Sequence, residues 1–172
     1  FNTALTERVA LLANLPETVI AQVLAERITY AAGGAVLVAT MRAHGAYTAL
    51  VSGGFTSFTR AVAQTLGFDE HRANTLLAQD GVLTGQVLPI LGREAKVDAL
   101  TQIAARLGTT PQNAIAVGDG ANDLGMIQLA GAGVALHAKP AVAAQAQIRI
   151  NHGDLTALLY LQGFADEDFV TP

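Results

Sequence analysis

Apolar residues at Leu5, Val9, Leu12 and Ala13 recur at helical spacing over residues 2–14. Pro16 suits the first turn of a second helix, which the stripe Val19, Ile20, Val23 and Leu24 carries to about Ile28. Gly33 and Gly34 interrupt the pattern, and a third helix is predicted over 35–44, ended by Gly45. The character then changes. Tyr47 to Val51 is a short apolar run bounded by glycine, which reads as a buried strand. Phe55 to Leu66 returns to helical spacing and Gly67 caps it. Asn74 to Leu88 reads as a hairpin turning at Asp80-Gly81. Beyond it, helices are predicted over Glu94–Leu107, Asp123–Ala130, 140–146 and Leu155–Leu161, the last capped by Asp154. Strands are predicted at Ala114–Val117, Gly133–Leu136 and Ile148–Ile150. The acidic end, Asp166 to Pro172, is expected to be loose.

Strands alternating with helices imply an α/β fold with a doubly wound parallel sheet and a small β-hairpin. The first thirty residues do not alternate, and look like part of a helical cap. The expected organisation is cap at 1–30, α/β core at 31–165 and tail at 166–172. Composition agrees: the 172 residues are 51% hydrophobic and 14% charged, which excludes intrinsic disorder. Mean hydropathy is +0.38, yet the longest apolar run, Ala35 to Met41, stops at Arg42, far short of the ~18 residues of a membrane span. No membrane partner is expected, and with no targeting signal the expected location is cytoplasmic. A net charge of −4 argues against a nucleic-acid partner. The absence of cysteine excludes disulfides and zinc-thiolate sites. Oligomeric state is not legible.

In such a sheet ligands bind beyond the carboxyl ends of the strands. Two strands there run into polar, glycine-containing loops. Ser52-Gly53-Gly54-Phe55 sets a hydroxyl and bare amides before a helix, an arrangement that either binds an anion or forms a simple tight turn with Ser52 as the helix N-cap. Gly118-Asp119-Gly120-Ala121-Asn122-Asp123 flanks a strand-to-helix turn with two carboxylates, hard ligands suited to Mg2+. Lys96 lies at a helix start, where an ammonium opposes the dipole and better meets an anion. Arg8 either holds a substrate carboxylate or pairs at the surface with Glu7 or Glu17. The four histidines lack metal-ligand spacing and read as structural or surface residues.

Taken together, Gly118 to Met126 (GDGANDLGM) resembles the fourth motif of the haloacid dehalogenase superfamily of aspartyl-phosphate phosphatases. Ser52-Gly53-Gly54-Phe55 resembles the second motif of its phosphoserine phosphatase branch, and Lys96 in Gly92-Arg93-Glu94-Ala95-Lys96 resembles the third. Phe1 and Leu5-Thr6-Glu7-Arg8-Val9 are similar to the end of that branch's helical cap. The resemblance implies a HAD-like Rossmannoid core and Mg2+-dependent hydrolysis of phosphoserine through an aspartyl phosphate, completing L-serine synthesis. It implies that Asp119 binds Mg2+ and that Asp123 supports the metal shell or holds Lys96. Ser52, the Gly53 amide and Asn122 would bind phosphoryl oxygens. Lys96 would neutralise the phosphate, Arg8 would take the substrate carboxylate, and Phe1 would form part of the pocket wall. The family's Asp-x-Asp-x-Thr nucleophile motif is absent. Asp166-Glu167-Asp168 lacks the threonine and follows no strand. The nucleophile is therefore expected upstream of Phe1, and the 172-residue chain alone is expected to be inactive. Two alternatives stand: a phosphatase or phosphotransferase for another small phosphorylated metabolite, or a non-catalytic fragment.

Overall fold

The computed structural model describes residues 2–92 and 94–172. Contacts group them into two compact units, residues 2–92 with 164–172, and residues 94–163.

In the first unit, three helices, α1 (Asn2–Ala10), α2 (Thr18–Arg27) and α3 (Gly34–Ala43), precede β1 (Ala49–Phe55). α4 (Thr56–Leu66) then crosses over to β2 (Glu70–Asn74), which pairs parallel with β1. The hairpin β3 (Leu76–Gln79) and β4 (Val82–Val87) follows. Its turn has φ of +51° at Asp80 and +76° at Gly81, the left-handed pair that a two-residue hairpin needs. Residues 14–17 line the hairpin: Asn14 N–H donates to the Leu83 carbonyl, Leu83 N–H to Leu15, and Glu17 N–H to Gly81. α1 buries Val9 and lies against β4, where a Cβ on Gly85 would come within 2.9 Å of the Ala13 methyl.

Three features differ from the expectations. β1 runs on through Ser52-Gly53-Gly54 to Phe55, so this stretch is irregular strand rather than loop. β2 was unforeseen, because Glu70-His71-Arg72 hides the apolar signal of a strand. The acidic end is held: Val170 N–H donates to the hydroxyl of fully buried Thr40 at 2.9 Å, and Phe164 packs on His44 at 4.6 Å. A buried hydroxyl needs a partner, and the chain end supplies it.

The second unit is α/β throughout. α5 (Ala95–Arg106) leads to β5 (Ile115–Gly118), α6 (Leu124–Leu129), β6 (Ala132–Leu136), α7 (Pro140–Ala143), β7 (Ile148–Ile150) and α8 (Ala157–Tyr160). The strands form a parallel sheet in the order β5-β6-β7, joined by helical crossovers as expected. The middle strand β6 is buried along Gly133-Val134-Ala135, as a parallel strand covered on both faces must be. Ile127, Ala135, Val142 and Ala146 form its core. Gly133 is obligatory, since a Cβ there would lie 1.8 Å from the Ile127 carbonyl oxygen. Among the described residues β1 pairs only with β2 and β5 only with β6, so each is an edge strand.

Two carboxylates tie down loops. Burial opposes ionisation of Asp69, but the Thr48 N–H (2.8 Å), the Thr48 hydroxyl (2.9 Å) and the Arg42 guanidinium (3.1 Å) outweigh it. Its pKa is therefore lowered. Asp154 is lowered by the Thr156 hydroxyl and N–H, against a smaller opposing effect of burial. A lowered folded-state pKa adds stability that is complete above the unfolded-state value, about pH 4. That stability is lost as pH falls through the folded value. Replacing Asp69 by Ala should therefore cost about 1 kcal/mol in urea denaturation at pH 7. The gap from the parent should close as the pH is taken from 5 to 3. A gap that widens on acidification would contradict this assignment.

Candidate active site

β5 ends at Gly118, and the chain turns through Asp119-Gly120 into a short 3-10 turn, Ala121–Asp123, before α6. Asp123 points back under this turn and is 2% exposed. One carboxylate oxygen, Oδ2, accepts the N–H groups of Asp119 (3.0 Å) and Gly120 (2.9 Å). The other, Oδ1, accepts from the Lys96 ammonium on α5 in a short, largely buried ion pair. A buried charge must be met on every side, and this one is. The turn is built around it. A Cβ at Gly118 would sit 2.3–2.6 Å from the Asp123 side chain, and one at Gly120 would sit 2.6 Å from Asn122 Oδ1. Sequence reading left Asp123 open between metal support and holding Lys96; its oxygens are engaged by Lys96 and by backbone amides.

Asp119 and Asn122 are exposed at the same turn. Lys139 N–H donates to the Asp119 carbonyl at 3.3 Å, which braces the turn with the loop after β6. That loop is itself constrained: His137 has φ of +47° and its Nε2 lies 2.9 Å from the Gly153 carbonyl.

In the first unit, Ser52 is half-buried and Gly53 exposed on the irregular end of β1. The Gly54 N–H donates to Ser52 Oγ at 3.0 Å. α4 starts only at Thr56 with no side-chain cap, so Ser52 is not a helix cap. Arg8 is exposed on α1 beside buried Val9, and neither Glu7 nor Glu17 forms an ion pair with it among the described residues. Phe1 lies outside the described residues. Sequence reasoning missed Asn74, fully buried behind the Ser52 loop. Its signal was a lone amide closing β2, where an apolar residue would be usual.

Lys96, Asp119, Asn122 and Asp123 thus share one unit, and Arg8, Ser52 and Gly53 the other. Residues 3–128 match the haloacid dehalogenase-like hydrolase family. The chain belongs to that family. It is 45% identical over 166 residues to a phosphoserine phosphatase of Albidiferax ferrireducens, covering 94% of this chain and 70% of that protein. It is 42% identical over 169 residues to one of Streptomyces coelicolor, covering 98% of this chain but 41% of that protein. Among solved structures, a phospho-aspartyl intermediate analogue of phosphoserine phosphatase superposes with a TM-score of 0.86 at 36% identity. That match covers 94% of this chain and 77% of the other. Among the described residues no helix is long and apolar enough to cross a membrane.

The Lys96–Asp123 pair carries its own test. Asp123→Asn strands a largely buried ammonium and should cost about 3 kcal/mol in urea denaturation. Adding Lys96→Met should recover most of that loss. A double variant no more stable than Asp123→Asn would rule out the pairing as the source.

Proposed function

We propose that the chain is part of a phosphatase that hydrolyses O-phospho-L-serine to L-serine and phosphate. The observation that carries this reading is the Lys96–Asp123 pair beneath an exposed Asp119, in a family member whose relatives are named phosphoserine phosphatases. Hydrolysis of a phosphomonoester demands positioning and charge neutralisation more than covalent machinery. Asp123 holds the Lys96 ammonium in place, so the lysine offers its charge to the phosphoryl group without paying to become ordered on binding. Ser52 Oγ, the Gly53 N–H and Asn122 take the phosphoryl oxygens. Arg8 takes the substrate carboxylate as a bidentate partner.

Asp119 is the residue suited to Mg2+. An exposed carboxylate at a strand end fits an ion that keeps most of its waters and takes one or two carboxylates. No cluster of three or more acidic or histidine groups among the described residues offers a closed cage instead. When bound, the ion would offset phosphoryl charge. The reaction passes through an aspartyl phosphate, which divides one difficult displacement into two easier ones. No Asp-x-Asp-x-Thr string exists in the 172 residues, so the attacking carboxylate is supplied from outside them.

A longer polypeptide carrying this sequence should release phosphate from phosphoserine, and the 172-residue chain alone should not. Turnover by the short chain would remove the external nucleophile from the mechanism. Asp119→Asn in the longer polypeptide should lower kcat by at least about 100-fold. Arg8→Ala should lower kcat/KM for phosphoserine about 10- to 100-fold while sparing p-nitrophenyl phosphate, which has no carboxylate. Equal losses on both substrates would favour a different phosphorylated metabolite.

A further inference from the structure

Asn74 is 0% exposed at the end of β2, and every polar atom of its side chain is used. Nδ2 donates to the Gly53 carbonyl at 2.7 Å and to the Gly54 carbonyl at 3.1 Å. Oδ1 accepts the Leu91 N–H at 2.6 Å. The partners dictate the amide's orientation, because two carbonyls require donors and an N–H requires an acceptor.

This clamp answers a defect in the ladder. Val51 pairs with Arg72 and Phe55 with Asn74, so four steps along β1 match two along β2. Ser52, Gly53 and Gly54 bulge out, and their backbone groups lose the ladder partners a regular strand would supply. Asn74 supplies two of them from its side chain. The peptide between Gly53 and Gly54 is planar and trans, so its C=O and N–H point in opposite directions. With the Gly53 carbonyl drawn to Asn74, the Gly54 N–H is turned the other way, onto Ser52 Oγ at 3.0 Å. That bond fills an acceptor site of the hydroxyl and leaves its proton free to donate. Phosphoryl oxygens accept and cannot donate.

We propose that Asn74 is a positioning residue that, by holding the Gly53 and Gly54 carbonyls, orients Ser52 as a hydrogen-bond donor to the transferring phosphoryl group. The proposal rests on the reading of Ser52 as a phosphoryl ligand. Asn74 itself touches no substrate; it acts through the bulge.

The test is a double-mutant cycle in the longer polypeptide, with phosphoserine and p-nitrophenyl phosphate as substrates. Asn74→Asp keeps an acceptor for Leu91 but turns a carboxylate oxygen on two carbonyls. It should lower kcat about 100-fold, the cost of a small misplacement at a reacting group. In a Ser52→Ala background the same change should cost little more, because the group it positions is gone. Asn74→Ser, neutral and smaller, repeats the cycle should the aspartate variant not fold. Losses that multiply independently of Ser52 in the folded variant would overturn the proposal, since a general loss of structure is indifferent to that hydroxyl. Turnover of p-nitrophenyl phosphate without phosphoserine turnover would reject the substrate reading and leave the cycle readable.

Discussion

A carboxylate with almost no access to water must be neutralised where it lies, and the turn after β5 is organised by that requirement. Asp123 is 2% exposed and is met by the Lys96 ammonium and two backbone N–H groups. Removing Lys96 would leave an unpaired charge in a low-dielectric setting, where the penalty is several kcal/mol. The neighbouring sequence follows from it. Gly118 is bare because a Cβ there would lie 2.3–2.6 Å from the Asp123 side chain. With Asp123 turned inward, Asp119 is left as the turn's exposed carboxylate.

The end of β1 solves a related problem with neutral groups. A strand that bulges by two residues strands its own carbonyls, and an unmet buried carbonyl costs about as much as a lost hydrogen bond. Asn74 meets two of them from β2. In both places a single buried polar side chain sets the backbone of a glycine-containing segment, and the exposed groups inherit their direction from it. Glycine recurs for a packing reason as well: at Gly133 helix and strand approach so closely that no side chain fits.

Much of this was legible in one dimension. Apolar periodicity placed the seven α-helices and strands of residues 94–163 near their positions, because buried parallel strands and their crossover helices leave strong local signals. Gly118–Asp123 stood out as a unit, since its turn needs glycines and carboxylates at fixed offsets. β2 did not stand out, because the partners of its polar residues lie elsewhere in the sequence: the Tyr47 hydroxyl donates to Glu70 at 2.9 Å, and the Thr59 hydroxyl lies 3.0 Å from His71 Nδ1. The acidic end looked free for the same reason: its anchor, Thr40, lies 130 residues away.

The amino-acid sequence by itself determined the α/β class, the family and the residue types of the candidate chemistry, because these rest on local periodicity and short-range spacing. Tertiary structure decided which oxygen of Asp123 faces Lys96 and which faces the amides. It decided that Ser52 belongs to a bulged strand rather than a helix cap, and that Asn74 holds that bulge. The Lys96–Asp123 pair and the hydrogen bonds of Asn74 reach across 17 to 27 residues, and only folding brings such partners within 3 Å or so of each other.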